Sequence, residues 1–165
     1  MGLLHTYLSD FFKKVTRDEQ LIRLVHYKPS SGLDDPLSPT KPNLFGTTTY
    51  YNVISKKNFI RAPKATDLTE GGGICRICMY IGSSSRTGNM KVYNQEIVFD
   101  VLVHIIDFEE KDSRSLRIID RLTDLLQEEH ITGVGKVIAA RTSVPIGAPE
   151  GYIAYRNTFT FGATK

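Results

Sequence analysis

The clearest pattern in the chain is a change of hydrophobic period between residues 95 and 129. In Gln95-Glu-Ile-Val-Phe-Asp-Val-Leu-Val-His-Ile-Ile106 the alternate positions Ile97, Phe99, Val101, Val103 and Ile105 are all apolar. A period of two, rich in β-branched residues, predicts a strand with one buried face. The intervening positions, Val98, Asp100, Leu102, His104 and Ile106, are mixed, which predicts partial cover on the other face. After a polar turn the period lengthens to that of a helix over 113–129. Leu116, Ile119, Leu122 and Leu126, flanked by Ile118 and Leu125, form a stripe wide enough to lie on a sheet. Arg114, Arg117, Arg121, Asp124 and Glu128 fall on the opposite face, which reads as solvent-facing or as a subunit contact.

Upstream, Leu4, Leu8, Phe11 and Phe12 share one face of a helix over 2–15. Thr16-Arg-Asp-Glu19 matches a capping box, so a second short helix is expected from 17. Leu21, Ile22, Leu24 and Val25 form its apolar side, and Lys28-Pro29 ends it. Residues 29–42 hold four of the seven prolines, which excludes a helix interior or a central strand. Residues 47–54 (Thr-Thr-Thr-Tyr-Tyr-Asn-Val-Ile) have strand propensity. Turn signals follow at Pro63, at 67–70 and at Gly71-Gly-Gly73. So much loop is unusual in a small domain. The segment 29–73 is therefore either irregular cover over the sheet or an arm ordered by another subunit, and its composition favours the arm.

Ile74–Gly82 reads as a core strand with Cys75, Ile77, Met79 and Ile81 on one face. The polar run from Ser83 predicts an exposed hairpin loop over 83–94 that carries Arg86 and Lys91. Val134–Thr142 reads as a strand of small residues, followed by a turn at Pro145, Gly147, Pro149 and Gly151. In Tyr152–Phe161, Ile153, Tyr155, Phe159 and Phe161 alternate with Arg156, Thr158 and Thr160. The order ααββαββ predicts a single α+β domain over 1–165. Its sheet is mixed, mainly antiparallel and four-stranded, with one long helix packed on a face and two N-terminal helices.

Composition adds boundaries rather than identity. With 41% hydrophobic and 24% charged residues among 165, the chain is long enough to bury about 70% of its unfolded surface. A net charge of +3 does not demand nucleic acid as partner. No apolar run approaches the roughly 18 residues of a membrane span. Asp10, Lys13 and Lys14 break the N-terminal apolar stretch, which excludes a secretory signal. Two cysteines argue against a disulfide scaffold and fit a reducing compartment, so a soluble domain made inside a cell is expected.

Candidate chemistry is sparse. Cys75-Arg-Ile-Cys78 has CxxC spacing, but zinc takes four ligands and no second pair exists. Positions three apart in a strand point to opposite faces, so two buried core thiols are expected. Asp100 and His104 share a strand face but lie about 13 Å apart along it, which excludes a direct acid–base pair and suggests a solvated or interface-facing edge. His5, His26, His104 and His130 have no ligand spacing, and Gly133-Val-Gly-Lys136 lies in the wrong order for a phosphate loop. Lys56, Lys57, Arg61 and Lys64, interleaved with Phe59, form a basic cluster that reads first as a solvated arm and second as a nucleic-acid contact. No metal, cofactor or catalytic set emerges, and an enzyme is not expected.

Three phrases carry a family likeness: Asp18-Glu-Gln-Leu-Ile-Arg-Leu-Val-His-Tyr27 before the proline-rich loop, Ile97-Val-Phe-Asp-Val-Leu-Val-His104, and Arg117-Ile-Ile-Asp-Arg-Leu-Thr-Asp-Leu-Leu126. With the element order, they resemble the tail terminator (tail completion, head–tail joining) proteins of long-tailed bacteriophages. The resemblance implies a subunit of a hexameric ring that ends tail-tube polymerisation and joins tail to head. Its partners would be further copies of itself, the tail tube protein, the head connector protein and, in a contractile tail, the sheath protein, with DNA passing through the lumen. It implies a virion protein assembled in the host cytoplasm. Another neck ring and a small nucleic-acid-binding module stand as alternatives. Under the ring reading, Lys56, Lys57, Arg61, Lys64, Arg86, Lys91, Arg114, Arg117 and Arg121 are the candidate subunit-facing or DNA-facing contacts.

Overall fold

The structure, a computed structural model, describes residues 3–68, 72–144 and 147–164, with the side chain of Lys56 not included. The turn positions expected at Gly71 and Pro145 lie outside the described residues. Strands β1 (Phe59–Ile60), β2 (Cys75–Arg86), β3 (Val92–His104), β4 (Ile138–Ser143) and β5 (Tyr152–Thr164) form one sheet in the order β1-β2-β3-β5-β4. The fold is α+β with a mixed, mainly antiparallel sheet, as the alternation predicts. It has five strands where four were expected, because β1 has two residues, too few for a period to register. These residues pair parallel with Ile77 and Cys78, and every other pairing is antiparallel.

Helices α1 (Leu4–Thr16), α2 (Glu19–His26) and α5 (Arg114–Leu126), the last preceded by the single turn α4 (Glu110–Asp112), contribute to one core with a single face of the sheet. Phe11, Leu21, Ile22, Ile118 and Leu122 meet Ile77, Ile97, Phe99, Val101, Phe159 and Phe161 there. Each of these large side chains contributes roughly 1.5–3 kcal/mol on full burial, so this layer dominates stability. Rings pack edge to face at its centre, with Phe99 and Phe159 centroids 5.8 Å apart. The other sheet face is only partly covered. Leu68, with Ile60, Ala65 and Ile74, lies over Cys78, Leu102, Tyr152 and Ala154. Cys75 and Cys78 are buried in the two different layers, as their spacing predicts.

Several boundaries differ from the sequence reading, each for a local reason. Asp18, not Thr16, caps α2, with the Leu21 amide donating to its carboxylate at 2.7 Å. The Thr16 hydroxyl instead donates to the Phe12 carbonyl at 2.7 Å, in the last turn of α1. Residues 47–54 are helical rather than extended: a short helix α3 (Thr48–Asn52) continues into a π-turn over Val53–Lys57. The Thr47 hydroxyl accepts from the Tyr50 amide at 3.2 Å, and the Tyr50 hydroxyl donates to the Thr16 carbonyl at 3.0 Å. Tertiary contacts thus outweigh an intrinsic preference worth about 1 kcal/mol at most.

The hairpin loop over 83–94 is mostly strand, since Arg86 still pairs with Tyr93. Only residues 87–91 form the tip, where the Thr87 hydroxyl bridges to the Val92 carbonyl at 2.5 Å. Of the two expectations for 29–73, cover is what the described residues show. Leu44, Val53, Phe59 and Leu68 are buried in their own chain. Arg23 donates to the carbonyls of Ser38 and Lys41, and the Tyr27 hydroxyl donates to that of Pro42 at 2.9 Å.

Candidate assembly surface

Sheet edges are where a backbone can bond to another chain, because their outer N–H and C=O groups lack strand partners. This sheet has two such edges of different make. On one side lies β4, whose six residues are all exposed. Ile138 and, just beyond the strand, Val144 are 57% and 65% exposed. On the other side β1 covers β2 only at Ile77 and Cys78, so among the described residues β2 from Met79 to Arg86 has no strand outside it. Beyond this edge the β2–β3 hairpin tip carries Met90, 95% exposed, between exposed Arg86 and Lys91.

The basic residues singled out by sequence do not form one patch. Lys57, Arg61 and Lys64 are exposed, but their loop wraps round a buried arginine. Arg76 donates to the carbonyls of Lys57 (2.8 Å) and Lys64 (3.3 Å) and forks onto Asp67 at 2.6 and 3.0 Å. Phe59, which would have to stack on a base, is buried in the core instead. Arg61 lies 4.9 Å from the Phe12 ring centre, over its face. This loop is tied down by its own backbone carbonyls, and the Lys57, Arg61 and Lys64 side chains remain exposed.

The arginine row on α5 is not a solvent face. Arg114 is 0% exposed and runs beneath the carboxyl end of α2. There it donates to the carbonyls of Leu24 and, at 2.7 Å, Tyr27, while its Nε meets Asp112 at 2.5 Å. Arg117 joins Asp112 and Asp35, each at 2.8 Å, and so pins the proline-rich loop to α5. Arg121 forks onto Asp18, the residue that caps α2, at 3.0 and 2.6 Å. The row serves as an internal fastening between α5, α2 and the loop. Helical spacing alone gave no sign of this, because a helix of charged residues looks the same whether its partners are water or carbonyls.

The less covered sheet face carries polar residues that sequence reading left unconnected. Asp100 is buried on the central strand β3, not on a solvated edge, and Arg156 on β5 forks onto it at 2.7 and 2.9 Å. The Tyr80 hydroxyl donates to the same carboxylate at 2.7 Å. Burial, reinforced by that carboxylate, pushes the Tyr80 phenol above its usual range. His104 is buried too, and its Nδ1 accepts from the Asp107 amide at 3.3 Å. A cavity of about 180 Å³ opens beside Asp100 and Arg156, bordered by Lys64, Ala65, Cys78 and Ala154. Both Asp100 oxygens are engaged, and burial raises the Cys78 thiol above its usual range, so neither group is primed as a base or nucleophile. Among the described residues no group of three or more His, Cys, Asp or Glu side chains is placed to hold a metal ion. Among them, too, no helix is long and apolar enough to cross a membrane. The signal for the Asp100 cluster was present, as one carboxylate inside an apolar strand and one arginine inside another, but pairing them requires the register of β3 with β5.

Comparison with known proteins gives two matches. The model of the YomW family matches residues 18–161, most of the sheet and helical layer. A protein of Bacillus subtilis (strain 168), described as SPbeta prophage-derived uncharacterized protein YomW, is 34% identical over 174 aligned positions that cover all of both chains.

Proposed function

The chain belongs to the YomW family and is similar along its whole length to a prophage-derived protein, and from that premise we propose that it is a virion structural protein. In this reading it is a subunit of a ring, hexameric as the tail terminator resemblance implies, at the head-proximal end of a phage tail. The ring ends tail-tube polymerisation and presents a surface to the head connector, with DNA passing through its lumen. The observation that carries the proposal is that one subunit has two dissimilar open sheet edges, β4 and the outer side of β2. Dissimilar edges make head-to-tail contacts, and such contacts generate a closed ring when the rotation between copies closes. The rigid part is the sheet with its helical layer, and the charged residues found inside it serve that rigidity rather than a reaction.

Size-exclusion chromatography with light scattering, alone and with purified tail tubes, tests the reading, with negative-stain images to show the shape. A sixfold ring with a central hole, seated on the tube end, is expected. A monomer that binds neither tubes nor connectors refutes it. A ring that binds connectors but not tubes moves the protein to another level of the neck.

A further inference from the structure

We propose that neighbouring copies join edge to edge through their backbones, with β4 of one copy adding antiparallel to β2 of the next over Met79–Ser83. This rests on the ring reading and specifies its contact.

Strand direction supplies the first argument. Since β2, β3, β5 and β4 alternate in sense across the sheet, β4 runs opposite to β2. Copies related by rotation about an axis roughly along the strands keep the same sense. The β4 strand of one copy therefore meets β2 of the next in antiparallel orientation, whatever the number of copies. Four alternating strands per subunit repeat without a mismatch at the junction.

Height supplies the second. Across the rows of the sheet, Ser143 lies level with Arg156, Asp100 and Cys78, and Ile138 lies level with Thr160 and Glu96. Glu96 in turn faces the bulge between Ile81 and Ser84, where its carboxylate accepts from the Ser83 amide at 3.2 Å. The six residues of β4 thus span the rows in which β2 emerges from under β1, so the two open edges are already aligned. Within β4 the Ala139 N–H is already accepted by the Gln127 side chain at 2.6 Å, so the open part of this edge is residues 140–143, where about two residues direct their N–H and C=O groups outward, a short ladder.

The character of the edges is the third. Natural edges are guarded by proline, lysine or inward-pointing charge. Ile138-Ala-Ala-Arg-Thr-Ser143 and Met79-Tyr-Ile-Gly-Ser83 contain no proline and a single charge, Arg141. Each edge does carry a register shift, between Ile81 and Ser84 and between Ala139 and Arg141. Bulges can turn an edge aside, and they also bend and twist a sheet, the curvature that a sheet shared around a ring requires.

Cysteine pairing tests the contact in the full chain. Tyr80→Cys protein is mixed with Arg141→Cys protein, and Ser83→Cys protein with Ile138→Cys protein, the residues that share a row; each mixture is oxidised and the disulfides are mapped by mass spectrometry. The native Cys75 and Cys78 are buried. Linkage between the β2 and β4 cysteines is expected for at least one pair. Arg141→Pro or Thr142→Pro should abolish it, because one of two consecutive residues directs its N–H outward; circular dichroism identifies which variant keeps the fold. Linkage confined to two β4 cysteines would instead show a twofold pair closing at two copies, and would overturn the proposal. Rings in micrographs without any β2–β4 linkage overturn the edge contact and leave the ring intact. Absence of both rings and linkage, with tail tubes present, overturns both.

Discussion

Replacing Arg114 by alanine is the most direct test of the fastening between α5 and α2. The side chain is fully buried and does three things at once: it caps the carbonyls of Leu24 and Tyr27, pairs with Asp112, and lies 5.4 Å over the Phe108 ring centre. The α2 carboxyl end offers carbonyls that the helix itself cannot satisfy. Alanine leaves two of these without their cationic donor and leaves the Asp112 carboxylate (11% exposed) with Arg117 alone. Losing two charge-assisted hydrogen bonds at about 1.5–3 kcal/mol each puts the expected loss at about 3–5 kcal/mol. Against a total stability of about 5–15 kcal/mol this is a large fraction. At about 2–4 °C per kcal/mol for a chain of this size, the midpoint should fall by roughly 10 °C. Arg114→Lys keeps the charge but loses the planar fork, so it cannot reach both carbonyls and Asp112 in the same geometry; a loss about half as large is expected. Urea titration followed by far-ultraviolet circular dichroism measures both. A loss below about 1 kcal/mol for alanine would show that water replaces the guanidinium and that Arg114 is not a structural tie.

Four further outcomes follow from the geometry. Gly162→Ala places a Cβ 2.3 Å from the Val134 carbonyl oxygen, so the 132–137 turn must move; a loss of about 1–3 kcal/mol is expected in thermal unfolding. Burial raises both Cys75 and Cys78 thiols, so neither should react with a thiol reagent near pH 8 until denaturant is added, when both titrate. The Arg76 fork holds Asp67 at about 2. That stabilisation is present above the ordinary aspartate pKa near 4 and is lost as pH falls toward 2; carboxyl NMR should show it, and Arg76→Lys should return Asp67 upward. Tyr80 works in the opposite sense: its raised pKa means the folded state holds the proton more tightly, so stability is intact below about pH 10 and declines above it. Asp100→Asn should lower the Tyr80 ionisation midpoint in an ultraviolet titration.

The parts of the fold legible in sequence were those governed by a single period. The alternation in β3 and β5 and the stripe on α5 placed the main core, and the CxxC spacing placed its two sulfurs in different layers. What remained hidden depended on pairs distant in the chain. Arg114 looked like a surface residue because the carbonyls it caps lie some 90 residues earlier. Asp100 looked like an edge residue because the strand that neutralises it, β5, is 56 residues away. The tyrosines and threonines of 47–54 favour strands, yet one cap and one tyrosine hydroxyl made the segment helical. The open edges were invisible for a further reason: exposure of β4 and of outer β2 follows from strand order, which local pattern does not encode.

That strand order also sets a timetable. β5 follows β4 in the chain but sits between β3 and β4 in the sheet. Until β5 has been synthesised and inserted, β4 has no strand to rest on, and the rim it offers does not exist. An unfinished or interrupted chain therefore lacks the rim altogether, and under the proposed ring it has no edge to offer a neighbour. Under that proposal the topology acts as a checkpoint, presenting the β4 edge only after the last central strand is in position.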